Sequence, residues 1–196
     1  MLAGHSFGGL YVLTFAARYP DEVAGMVLVD STAPASAANP MTPSPGAGGS
    51  SDVLSRVSAL VSTSARLGLG RLYGQSSFGS LPPRSRDELR ASVATASTVR
   101  STIDEYVQAT ASMEQAAALR DFADKPLIVL TAGSGHDAAW SAAQNRMATL
   151  STNSVHRIID GATHEDLITD EEDAAATTQA ILDVVSSVRS PRRLVS

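Results

Sequence analysis

With 196 residues, 43% of them hydrophobic and 18% charged, the chain is long enough for one good-sized domain with a buried core and too apolar for general disorder. A formal net charge of −5 offers no basic surface for nucleic acid, and the absence of cysteine excludes disulfides, thiolate metal sites and a cysteine nucleophile. No apolar run approaches the roughly 18 residues that a membrane span requires; compartment is left open, with the cytoplasm as default, and so is oligomeric state.

In chain order, Leu2-Ala3 reads as the end of an apolar strand. Gly4-His5-Ser6-Phe7-Gly8 fits G-x-S-x-G, the strand-to-helix turn that holds a serine hydroxyl out of the sheet in a strained conformation. The residues two before and two after that serine are expected to crowd the turn, leaving room only for glycine. Gly9 through Tyr19 reads as a helix closed by Pro20, with Leu10, Val12, Leu13, Phe15 and Ala16 as its apolar face. Gly25 to Asp30 is the next strand, and its unbroken Met26-Val27-Leu28-Val29 run predicts burial on both faces.

Ser31 to Ser51 is rich in Ala, Pro, Ser and Gly and reads as a flexible linker. Val53, Leu54, Val57, Leu60, Val61 and Leu67 recur at helical spacing, and Gly79-Ser80-Leu81-Pro82-Pro83 reads as a turn. One or two further helices, with Leu89, Val93, Ile103, Tyr106, Val107 and Met113, are expected from about Arg86 to Leu119. No alternating strand pattern occurs from Ser31 to Ala123. Leu127-Ile128-Val129-Leu130-Thr131 is a buried parallel strand with Ala132-Gly133-Ser134-Gly135 as its exit loop. A helix from about Ala138 to Leu150 and a strand over Val155–Ile159 follow. The last helix, about Glu171 to Val188, starts acidic, as the helix dipole favours, and should turn Ala175, Ile181, Leu182, Val185 and Val188 inward. The tail, Arg189 to Ser196, is expected to hang loose.

Gly4-His5-Ser6-Phe7-Gly8-Gly9, the segment Phe15 to Val23 and the strand up to Asp30 together resemble the middle of an α/β-hydrolase. Asp160-Gly161-Ala162-Thr163-His164 resembles that superfamily's catalytic histidine loop. The resemblance implies an α/β fold with a parallel sheet running from the end of the fifth strand through the eighth, flanked by helices and carrying a helical cap. On this reading residues 1–30 and 124–190 form the hydrolase core, and 31–123 form linker and cap. Only Met1, Leu2 and Ala3 precede Gly4, so the chain is expected to be a C-terminal portion with little activity by itself. The central third carries no such likeness.

The resemblance implies Ser6 as nucleophile and His164 as general base, with the backbone N–H of Phe7 in the oxyanion hole. A serine at the elbow points to acyl transfer. His136, in a strand-exit loop, is the rival base; His5 should point away from the Ser6 hydroxyl and pack, and His156 should be satisfied locally. The acid lies between serine and histidine in the chain, and Asp137 and Asp30 are equal candidates. Asp137 could instead cap the helix beginning at Ala138. Asp160, Glu165 and Asp166 flank His164 too closely. The histidines and aspartates have no metal spacing such as H-E-x-x-H, and no dinucleotide fingerprint occurs, so no metal and no cofactor are expected. The expected function is a serine hydrolase acting on a small-molecule ester or related acyl bond; the alternative is a non-catalytic fragment or binding remnant of such an enzyme.

Overall fold

The computed structural model describes residues 1–35, 80–93, 95–190 and 192–195. Most of the expected linker and the helix expected over Val53–Leu67 lie outside these residues. The chain divides into two compact units, Met1–Ala37 with Ala111–Ser196, and Ala38–Thr110.

Four parallel strands form the sheet of the first unit, in chain order: β1 (Leu2–His5), β2 (Met26–Val29), β3 (Leu127–Ala132) and β4 (Ser154–Ile159). Helix α1 (Gly8–Arg18) follows β1, and a 3-10 turn, Pro20–Glu22, follows the helix. Helices α2 (Pro83–Val93) and α3 (Ala96–Val107) come next in the chain, then α4 (Ala109–Ala116). Helix α5 (Ala138–Ala148) joins β3 to β4, and α6 (Asp166–Thr169) and α7 (Glu171–Arg189) follow β4. In the second unit, α2 buries no residue, and Arg84 pairs with Glu88 one turn on at 3.0 Å.

Every residue of β2 and β3 is buried. A strand covered on both faces can carry an unbroken apolar run, because neither alternating set of side chains meets water. Met26, Leu28, Leu127 and Val129 pack with Leu10, Leu13 and Ala16 of α1 and Met147 of α5. Val27, Val29, Ile128 and Leu130 point the other way, into Ala180 and Val184 of α7. The register pairs Gly4 with Leu28, Leu28 with Val129 and Val129 with His156. Since all four strands run the same way, their C-terminal ends gather at one end of the sheet, where open parallel sheets bind ligands.

Three expectations are corrected. Phe15 is 38% exposed, because it lies four residues from both Tyr11 and Tyr19 and shares their solvent-facing side of α1. In α7 the buried stripe is Ala180, Val184 and Ser187, whereas Leu182 is 53% exposed and Val188 39%. The helix lies close on the chain entering the sheet: a Cβ on Gly25, just before β2, would come within 2.7 Å of Val184 Cγ1. The C-terminal tail is tied down: Asn153 Oδ1 accepts from Leu194 N at 2.9 Å, and Ser187 Oγ donates to the Arg192 carbonyl at 2.6 Å. Leu194 also packs against the cluster under α7. Helix α6 had no signal of its own in the sequence. No described helix is long and apolar enough to cross a membrane.

Candidate active site

At the end of β1 the chain turns within two residues into α1, and Ser6 takes a φ of +54°, a left-handed conformation uncommon outside glycine. The turn folds so tightly that a Cβ on Gly4 would lie 2.5 Å from the Gly8 carbonyl oxygen and 2.7 Å from Gly9 N. Gly8 is different from expectation: a Cβ there meets nothing within 4 Å. The crowded second position is Gly9, where a Cβ would fall on the Ser31 side chain, because α1 has by then swung against the chain leaving β2. Ser31 is fully buried; its Oγ donates to the Gly4 carbonyl at 2.8 Å, and Gln144 Nε2 of α5 donates to its carbonyl at 2.8 Å. Ser6 N donates to Val29 O at 3.1 Å, and Thr32 N donates to Ser6 O at 3.0 Å. Backbone from β2 and from the segment just after it thus holds the serine on both sides. Phe7 occupies the N-cap position of α1.

Asp30, the residue after β2, is the second left-handed non-glycine residue, at φ +40°. Its side chain is wholly inaccessible to water, yet both oxygens are supplied with donors. Oδ2 accepts from His164 Nδ1 and from His136 Nε2, each at 2.6 Å. Oδ1 accepts from the Trp140 indole N–H at 3.0 Å and from Ala132 N at 3.3 Å. Burial alone would raise the carboxyl's pKa, but the hydrogen bonds from His164, Trp140 and His136 outweigh it and hold Asp30 below the ordinary aspartate value. An ionised carboxylate only accepts, so each histidine turns an N–H toward it.

His164 lies in the loop between β4 and α6. Asp166 ties that loop by accepting from Thr163 N at 2.9 Å and Thr163 Oγ1 at 2.5 Å. On the other side, His5 Nε2 donates to the His164 carbonyl at 2.9 Å, and the two rings lie 4.4 Å apart. Burial lowers the pKa of His5, partly opposed by that hydrogen bond. The residue before Ser6 therefore touches His164, bringing the elbow and the histidine loop together.

Asp137 is elsewhere: it is the N-cap of α5, its Oδ1 accepting from Trp140 N at 2.8 Å. His156 is bonded to Thr131 Oγ1 at 2.7 Å and Asn145 Oδ1 at 2.9 Å. Sequence reasoning missed that His136 and Trp140 both bond Asp30, and that their rings stack at 4.6 Å with planes 8° apart. The available signal was the long β3–α5 loop holding a histidine and, just inside the helix, the chain's single tryptophan. Asp30, His136 and His164 also present one carboxylate oxygen and two ring nitrogens, all within 4.8 Å of one another. Their positions 30, 136 and 164 form no metal motif in sequence; three separate strand ends bring them together.

Comparison with known proteins agrees with this architecture. The alpha/beta hydrolase family matches residues 1–180. Among solved structures, an alpha/beta hydrolase fold protein from Nakamurella multipartita aligns over 92% of this chain and 67% of its own, at 15% identity and a TM-score of 0.51. The epoxide hydrolase CorEH aligns over 96% and 67%, at 19% identity and a TM-score of 0.61. A thermophilic esterase from Thermogutta terrifontis aligns over 96% and 65%, at 22% identity and a TM-score of 0.50. The chain thus spans about two thirds of the length of the structures it resembles. No curated protein matches the sequence.

Proposed function

The chain belongs to the alpha/beta hydrolase family, and on that premise we propose that it is a serine hydrolase cleaving a carboxylic ester or related acyl bond through an acyl-enzyme on Ser6. His164 is the general base and Asp30 the acid that orients it. The observation supporting this reading is the 2.6 Å bond from His164 Nδ1 to Asp30 Oδ2. With Nδ1 committed to the carboxylate, Nε2 is the nitrogen left for the serine hydroxyl, and the adjacent negative charge favours the imidazolium that proton transfer creates.

Ser6 Oγ attacks the acyl carbon while His164 Nε2 takes the hydroxyl proton. The resulting oxyanion accepts from the Phe7 N–H at the start of α1, where the helix dipole favours negative charge. The bond to the leaving alcohol breaks, and its oxygen takes the proton from His164. Water then gives His164 a proton as its oxygen attacks the acyl carbon; the bond to Ser6 breaks, and the serine recovers its proton. Asp30 stays ionised throughout, as its donors require.

On this reading the segment 31–123 is linker and cap, and the substrate is a small, apolar acyl compound. Mixing the chain with a short-chain p-nitrophenyl ester is expected to release p-nitrophenol slowly but above the uncatalysed rate, through acylation of Ser6. Ser6→Ala is expected to abolish that release. Release that persists in Ser6→Ala, or none beyond the uncatalysed rate, would refute the assignment.

A further inference from the structure

We propose that Asp30, His136 and His164 form a binding site for one divalent transition-metal ion of the zinc, nickel or copper type. The donor set is two imidazole nitrogens and one carboxylate oxygen, the combination such ions prefer over the all-oxygen sites of calcium and magnesium. Three protein ligands leave a further position for water.

Each ligand is already arranged. His136 Nε2 and His164 Nδ1 both aim at Asp30 Oδ2, so an ion replacing their two N–H hydrogens would meet all three atoms. At metal–ligand distances of about 2.0–2.2 Å in tetrahedral geometry, each nitrogen–oxygen separation would open to roughly 3.3 Å. That change is within the rotation of two side chains. The imidazoles are 17% and 32% exposed, whereas Asp30 is closed off, so the ion enters past the rings. The surrounding groups needed to hold the ligands are present too: Trp140 Nε1 and Ala132 N fix Asp30 through Oδ1, and the Trp140 ring backs His136.

The binding stands on this geometry alone. Its consequence rests on the proposed function: an ion on Nδ1 of His164 removes the hydrogen bond to Asp30 that orients the base, so the occupied chain cannot turn over ester. The ion is an inhibitor, not a cofactor.

Trp140 is the only tryptophan in the chain and touches two of the three ligands, so its emission reads the site directly. Titrating the full chain with Ni²⁺ is expected to quench that emission saturably at one ion per chain, and Zn²⁺ to displace Ni²⁺ and restore it. His136→Gln and His164→Gln are each expected to weaken the apparent affinity at least about tenfold, while His156→Gln leaves it unchanged. Two separate ligand variants are used so that either one that retains its circular dichroism serves. Emission unaltered by Ni²⁺, or a quench of full affinity in a folded ligand variant, would overturn the proposal. Because the readout needs no turnover, an inactive chain that still binds Ni²⁺ would sink the hydrolase reading and leave this one standing.

Discussion

His5 and His164, 159 residues apart in the chain, are joined by a hydrogen bond of 2.9 Å from the His5 ring to the His164 carbonyl. The residue before the elbow serine thereby anchors the loop carrying the proposed base. Such a bond contributes about 1 kcal/mol. His5→Ala is expected to lower the melting temperature by a few degrees and to reduce kcat several-fold with little change in KM, because the loop loses its hold and the substrate contacts do not. Steady-state kinetics beside thermal melts check this; a raised KM at constant kcat would contradict it.

Two aspartates separate the proposed catalytic role from a structural one. Asp30 bonds His164, and Asp137 caps α5. Asp30→Asn is expected to cut kcat by about 10⁴, because the amide favours the wrong tautomer of His164. Asp137→Asn, still a good cap, is expected to change kcat less than about twofold, and Asp137→Ala to cost about 1 kcal/mol of stability. Ester turnover by the three variants decides; equal losses in Asp30→Asn and Asp137→Asn would refute the assignment.

The glycines around the elbow differ in what they permit. Gly8→Ala meets open space at the start of a helix and is expected to be neutral or stabilising by up to about 1 kcal/mol. Gly9→Ala collides with the buried Ser31 and is expected to destabilise by about 1–3 kcal/mol. Denaturant melts of the two variants measure the contrast.

Acid should destabilise the protein in two stages. Burial holds His5 and His156 below the ordinary 6.5, so the unfolded chain takes up their protons first as pH falls. Stability is therefore expected to begin falling below about pH 6.5 and to continue through the folded-state values. Asp30 is lowered from 3.8, so its contribution is complete above that value and is lost as pH falls through its lower folded-state pKa. Melting temperature measured down from about pH 8 should show a plateau, a first decline and then a second below about pH 4. His156→Gln should shrink the first decline alone.

Strands β2 and β3 are legible in the sequence because burial on both faces leaves only apolar, branched residues, a pattern few loops or exposed helices show. The elbow is legible because a five-residue turn carries its own glycine and serine. Legibility fails where tertiary contacts choose among local equals. Leu182 and Ala180 both suit an apolar helix face, and only the way α7 packs on the sheet buries Ala180 and leaves Leu182 exposed. Gly8 and Gly9 are neighbours, and only the return of Ser31 makes the second indispensable. Asp30 and Asp137 stand at equivalent strand exits. The helix beginning at Ala138 is legible and offers Asp137 a capping role, but the left-handed turn that aims Asp30 at His164 is not visible in spacing. His136 and Trp140 reach Asp30 across more than 100 positions of sequence, a distance that no local pattern spans.

The central claim is that Ser6 is a nucleophile activated by the His164–Asp30 pair. Reaction with a fluorophosphonate, followed by mass spectrometry of the digested chain, tests it most directly. A single adduct on Ser6 is expected, formed at least about a hundred times more slowly in His164→Ala. An adduct on another residue, or one on Ser6 that forms as fast without His164, would contradict it.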